Sequence, residues 1–488
     1  MNTGDIFAFY NDRLNCWNAC QITGFYKDNQ GNIKENTPSV LLLDWHNSSK
    51  PTTGDFPTLK PFDKNYYNWD MQIHAYAPDF ELDKYVHCGN YPPILPCDNI
   101  RQHGFNPHGD ILRQKTWNNI PSNLREAYKK AYPDNMRTRI CENDIPNLFP
   151  NFKSFGDFNV YPRLTALELS SYSDELHNHL ISNPIIADLT LNGEQASVLD
   201  FRGTGLQKII IGNTSGIKEI FLTDILSELL IWGQAEPDLT VHDPYNGRYF
   251  TLHIGDKGRI PRGLDLLSEL YISNIKNVDL LYALSNNTEL KSLFLHGKLG
   301  TVTNLSAISS LKKLEILSTF EIFGFTGKDF PPPEEMPALD FIRMTSAPYE
   351  AVQVIKKQYK HIDLDITQAR KPEWLAANMD NPFRNWDGDE MIPEGGAKKA
   401  FDIYKKTRQN FRSLCLAGVD VQTEGECLCK QYIEVFNKLD SKHAFIDTVF
   451  REDIILALEK IISEVVEETG VKIDESQLMA VSDTLRDF

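Results

Sequence analysis

Between Arg163 and Gln368 one apolar signature, apolar-x-x-apolar-x-apolar, returns ten times. It reads Leu164/Leu167/Leu169, Ile186/Leu189/Leu191, Leu206/Ile209/Ile211, Leu226/Leu229/Ile231, Tyr249/Leu252/Ile254, Leu267/Leu270/Ile272, Leu290/Leu293/Leu295, Leu311/Leu314/Ile316, Leu339/Ile342/Met344 and His361/Leu364/Ile366. Successive starts are 22, 20, 20, 23, 18, 23, 21, 28 and 22 residues apart. So short a period leaves room for one strand and one return segment per unit, and neither can bury its apolar face without the next unit. The stretch therefore reads as a repeat array, with ten strands at about 4.8 Å spacing forming a parallel sheet roughly 45 Å across. Chance clustering of Leu in an ordinary α/β domain fits poorly, because longer helices separate the strands there.

Signature and period together resemble the leucine-rich-repeat family, whose units run about 20 to 29 residues. The resemblance implies a curved solenoid. The Asn that the family places after its strand is matched by Asn213 and Asn274, whereas Gly193, Gly233 and Gly297 fill the same slot. The expected fold class is α/β, with the solenoid over 163–368 flanked by a small β-barrel-like domain (1–95), a connector and N-terminal cap (96–162), a C-terminal cap (369–395) and an acidic helical domain (396–488).

Before the repeats, short β-rich runs (Ile6 to Tyr10, Trp17 to Tyr26, Val40 to Trp45) alternate with turn material. The Gly4-Asp-Ile-Phe-Ala8 opening, the following strand with its aromatic and glycine residues, and the Asp44-Trp45 strand end resemble the bacterial immunity protein 26 domain, which neutralises toxins in competition systems. A helix is expected from Asn123 to Tyr132 with Ser122 as its N-cap. His87, Cys88, Cys97, His103 and His108 match no common zinc spacing and read as packing residues. Beyond the repeats, Trp374, Trp386 and their prolines read as a cap, and Asp387-Gly-Asp389 as a turn, since it lacks the other ligands of a calcium loop. Helical periodicity then covers Ala397 to Leu416, Glu426 to Leu439 and Ile454 to Glu468, the last stopping at Gly470, with Asp474 opening a final helix and Gln477 placed to reach back.

A net charge of -17 argues against a nucleic-acid surface and favours a basic partner. No apolar run is long enough to span a membrane, and the first residues lack an export leader, so a cytoplasmic location is expected. Eight cysteines form no CxxC pair, and reduced thiols are the default. No phosphate loop, nucleophile elbow, zincin or dinucleotide fingerprint occurs. Leucine-rich-repeat effectors that act as ubiquitin ligases use a Cys-x-Asp, and no cysteine here has Asp two residues on. Neither catalysis, nor a cofactor, nor a metal is expected.

Binding is easier to read. Strand alternation sends the residue between the last two signature positions, and the one after them, to the concave side. The first set is Glu168, Thr190, Ile210, Leu230, His253, Tyr271, Phe294, Glu315, Arg343 and Asp365; the second is Ser170, Asn192, Gly212, Trp232, Gly255, Ser273, His296, Leu317, Thr345 and Thr367. Leu230, Trp232, His253, Tyr271, Phe294 and His296 should therefore form an apolar, aromatic patch, flanked by Glu228 and Glu269 and, further along, by Glu315, Asp363 and Asp365, with Arg343 on the same candidate face. The expected function is that of a cytoplasmic immunity protein that occludes a basic toxin domain with the concave face, the acidic helical domain or both, without catalysis; the other reading of the patch is that another part of the same chain covers it. The alternatives are a secreted leucine-rich-repeat effector bound to a host protein, and an enzyme with its site in a flanking domain.

Overall fold

The structure is a computed structural model that describes residues 1–488 except 29, 57, 79, 99, 101, 133–135, 234–237, 286 and 419, and the backbone alone of Gln102 and His103. It is a mixed α/β protein with a large parallel sheet of 11 strands and C-terminal helices. Two compact units divide the chain: residues 1–319 with 331–342, and residues 320–330 with 343–488.

The first unit opens with β1 (Asp5–Asn11), β2 (Cys16–Lys27), β3 (Ile33–Asn47), β4 (Asp63–Lys64), β5 (Met71–Gln72), β6 (His74–Tyr76), β7 (Val86–Asn90) and β8 (Gln102–His103). Six of these make a sheet in the order β7-β1-β2-β3-β6-β8, and β4 pairs with β5. The near-continuous apolar runs of β1 and β3 follow from burial on both faces. Phe7, Phe9, Cys20, Ile22, Val40 and Leu42 belong to one core, and Ile6, Ala8, Ala19, Leu41 and Leu43 to another. The helix Pro107–Asn119, which the sequence reading left in the connector, lends Ile111 to the first core; Asn106 caps it by accepting from the Gly109 N–H. The next helix is Ser122–Lys130, so Ser122 is its first residue and caps nothing. His108 lies edge-on against Phe9 at 5.0 Å, and Cys88 is buried with its thiol against the Val86 carbonyl. The His103 side chain lies outside the described residues.

The large sheet is built from β9 (Arg139–Cys141), β10 (Ala166–Leu169), β11 (Asp188–Leu191), β13, β15, β17, β18, β19, β20, β21 and β22, where β12 (Val198–Asp200), β13 (Lys208–Ile211), β14 (Glu219–Phe221), β15 (Glu228–Ile231), β16 (Thr240–His242), β17 (Thr251–Gly255), β18 (Glu269–Asp279), β19 (Ser292–Thr303), β20 (Ile316–Phe323), β21 (Phe341–Thr345) and β22 (Asp363–Thr367) follow in chain order. Each of the ten signatures yields one of these strands, and β9 adds an eleventh at the edge. From β10 to β19 the middle signature residues are direct partners: Leu167, Leu189, Ile209, Leu229, Leu252, Leu270 and Leu293 stand in one row, each at most 1% exposed. In three return segments β12, β14 and β16 form a second parallel sheet, aligning buried Leu199, Ile220 and Val241.

One register differs from expectation. The Glu315 and Ile316 N–H groups both donate to the Lys291 carbonyl, as those of Lys291 and Ser292 both donate to Ser268. The eighth unit is therefore framed by Leu314, Leu317 and Thr319, which are 0%, 0% and 3% exposed, while Ile316 is only half-buried.

The N-terminal part of this unit is fastened to loops that precede β15 and β17. The Arg13 guanidinium donates to the carbonyls of Asp224 (2.6 Å), Leu226 (3.1 Å) and Tyr249 (3.3 Å) and lies over the Tyr245 and Tyr249 rings, while the Tyr249 hydroxyl donates to Asp12 at 2.8 Å.

The second unit carries helices Gly396–Ala417, Val421–His443, Thr448–Thr469 and Glu475–Leu485. Their core takes in Phe383, Trp386, Tyr432 and Phe436. Trp386 packs against Phe436, Phe445 and Phe450, and its indole N–H donates to Asp453 at 2.9 Å. Gly470 closes the third helix at φ 68°, and Asp474 caps the last by accepting from Gln477 N–H. The Gln477 side chain turns away to Glu426 instead of reaching back. Cys427 is exposed and Cys429 buried on one helix, so the two face apart. Asp387 accepts from Arg370 and Trp374 in its turn. No helix among the described residues is long and apolar enough to cross a membrane.

Because the aligned row holds neighbouring units together, Ile209→Ala in its middle is expected to cost about 2–5 kcal/mol. Urea unfolding of the full chain measures this, and a loss under about 1 kcal/mol would mean that the units do not share a close-packed core.

Candidate partner-binding face

Side chains that alternate with the buried row stand on the other face of the large sheet. Leu230, His253, Tyr271 and Phe294 are direct partners across β15, β17, β18 and β19. Parallel neighbours lie about 4.8 Å apart, close to the distance at which flat rings stack. His253 and Tyr271 stack at 4.6 Å and 14°, and Tyr271 and Phe294 at 4.1 Å and 5°. His296 meets Tyr271 edge-on at 6.0 Å. The patch expected from the sequence is thus brought together around these rings, with Trp232 at its side, 37% exposed and following directly on β15.

Two members differ from the sequence reading. Leu230 is only 8% exposed, because its short side chain lies between Ile210 and His253 on the adjoining strands. Glu315 stands just before β20, and Leu317 is wholly buried, since the eighth unit is framed three residues later than the apolar pattern suggests. Ser318, 8% exposed, is the residue that alternates with Leu317 and Thr319.

The acidic rim is largely paired. Glu228 meets Lys208 at 2.6 Å, Glu315 meets Lys291 at 2.9 Å, and Glu269 accepts from the Thr251 hydroxyl at 3.3 Å. Arg343 lies in the second unit on β21, paired with Asp365 at 2.8 Å. The lysines were not singled out in the sequence, although Lys208 and Glu228 occupy one register position on successive strands and could have been aligned from the period.

Burial pushes the His253 imidazole below its ordinary value; Lys208 and His296 push the same way and Glu228 opposes them. Burial likewise lowers His296. It raises the Tyr271 phenol, with Glu269 and Glu228 adding to the effect. The face is therefore built of neutral rings at neutral pH. Among the described residues no group of three or more His, Cys, Asp or Glu could hold a metal ion.

No protein-family model, curated protein or solved structure matches the chain.

Folding depresses both imidazoles, so the unfolded chain takes up their protons first as pH falls. Their contribution to stability is fully present above the ordinary value of 6.5 and is lost as pH falls through the lower folded-state values. NMR titration should give midpoints below 6.5 for both rings. Midpoints at or above it would mean that water reaches the rings freely.

Proposed function

We propose that the chain is a leucine-rich-repeat protein of the solenoid type, with a small β-barrel-like N-terminal domain, that acts as a cytoplasmic immunity protein. It binds a bacterial toxin domain and blocks its site by occlusion, without catalysis of its own. The observation that carries the reading is the run of stacked, half-buried rings His253, Tyr271 and Phe294 beside exposed Trp232. A contiguous apolar and aromatic surface with polar neighbours suits protein recognition, where Trp and Tyr are the commonest hot spots.

The tenfold signature, its aligned strands and the immunity-like opening at Gly4 to Ala8 support the family and the role. The charge of -17 favours a basic partner and would speed its encounter over long range. Toxin domains that attack nucleic acid are commonly basic, which makes them suitable partners.

Co-expression with the toxin domain encoded beside this chain should rescue growth of a bacterial host and give a complex on pull-down. Trp232→Ala and Tyr271→Ala should each weaken that complex by about 2 kcal/mol or more. Unchanged affinity in both variants, with folding intact, removes this face from the interface; no rescue and no complex removes the immunity role.

A further inference from the structure

A second feature lies elsewhere in the first unit and stands independently of the partner reading. Arg163, the residue before the first signature, is 1% exposed, and among the described residues no carboxylate forms an ion pair with it. A guanidinium cannot shed its proton to escape burial, so its charge must be met by dipoles, rings or an anion. What the described residues supply is incomplete. One terminal nitrogen donates to the Asn68 side chain and, at 3.4 Å, to the Tyr128 hydroxyl; the Tyr128 and Tyr132 rings flank the cation at 4.5 and 4.8 Å; and Nε is buried with no hydrogen-bond partner among the described residues.

Arg163 lines a cavity of about 990 Å³ between the 65–70 segment and the helix Ser122–Lys130. Arg125 and Lys129 line it too, and neither has an ion-pair partner among the described residues: Arg125 donates to the Ile120 carbonyl, and Lys129 to the Trp69 carbonyl at 3.0 Å. The other lysine there, Lys130, is held by Glu126 at 3.1 Å. Burial depresses the Lys129 amine, Arg163 depresses it further, and Asp70 opposes them. Asp70 and Glu126 line the cavity as well, so in a chain of net charge -17 its described lining of four cations and two carboxylates is positive on balance.

We infer that this cavity binds a small phosphate monoester, its phosphate seated on the Arg163 guanidinium with Lys129 as the second cation. A phosphate offers several acceptor oxygens to the unused N–H edge of a planar guanidinium, and its double charge answers two cations where a single carboxylate answers one. The volume suits a ligand with an organic body, and the Tyr67, Trp117 and Tyr132 rings supply an apolar wall for it.

Calorimetric titration of the full chain with phenyl phosphate, inorganic phosphate and benzoate tests the inference. Saturable one-to-one binding of phenyl phosphate is expected, tighter than that of benzoate and weakened about tenfold or more by Lys129→Gln. Arg163→Gln should abolish it where the variant keeps its circular dichroism and melting behaviour; Lys129, being exposed, keeps the test decisive if Arg163→Gln does not fold. Three outcomes overturn the inference: no saturable binding of either phosphate probe at millimolar concentration, binding unchanged in Lys129→Gln, or benzoate binding as tightly as phenyl phosphate.

Discussion

Parallel alignment of one apolar position per unit is the constraint on which the first unit rests. Leu167, Leu189, Ile209, Leu229, Leu252, Leu270 and Leu293 meet in a single row because every strand enters the sheet in the same register. A slip of one residue in any strand would turn its apolar positions outward and its polar ones into the core. The same alignment decides what the other face looks like, since the residues between the buried ones are stacked at the strand spacing whatever their chemistry. His253, Tyr271 and Phe294 stack as flat rings because the core beneath them is in register. Face and core are two readings of one alignment.

Attachment of the N-terminal sheet works by a different principle. Arg13 reaches three backbone carbonyls and two tyrosine rings, using the spread of donors that only a guanidinium offers. Backbone carbonyls at strand entrances are present whatever the side chains, so one arginine can hold two sheets together without matching a surface. These contacts fall on the loops before β15 and β17, and among the described residues His253, Tyr271 and Trp232 remain at least partly open to solvent. The joint thus fastens the N-terminal part at the strand entrances, on loops distinct from the ring positions.

The ten strands were legible because their period is a property of the chain alone. Register within a unit was less so: Leu311/Leu314/Ile316 and Leu314/Leu317/Thr319 overlap, and an apolar pattern prefers the frame with Ile to the frame with Thr. Burial of Thr319 at 3% exposure decides for the second, and a buried Thr has no signature in sequence. The edge strand β9 has one buried apolar residue, Ile140, too little for a pattern. Helix Pro107–Asn119 is disguised by Pro107, His108 and Gly109 in its first turn and by polar residues around most of its circumference. The return strands β12, β14 and β16 each contribute a single aligned apolar residue, and Leu199, Ile220 and Val241 fall 21 apart, a period visible only once the neighbouring strands are placed. Arg163 gave no sign at all, because nothing in a linear sequence separates a buried arginine from a solvated one.

Net charge shows why local structure has to be read as well as composition. Sixty-seven acids against fifty bases suggest a surface of uncompensated carboxylates. On the large sheet, however, Glu228 and Glu315 are matched by Lys208 and Lys291 at short range, where each pair presents a dipole more than a charge. Exposed pairs of this kind add little to stability, yet they remove the cost of stripping a bare carboxylate when a partner docks. On the proposed reading, the long-range field of the chain would draw in a basic partner, while contact would be left to the rings, which lose little by leaving water. At the Arg163 cavity the balance runs the other way: among the described residues Arg125, Lys129 and Arg163 have no ion-pair partner in an acidic molecule. Both regions follow from which charges the fold pairs, and the total says nothing about either.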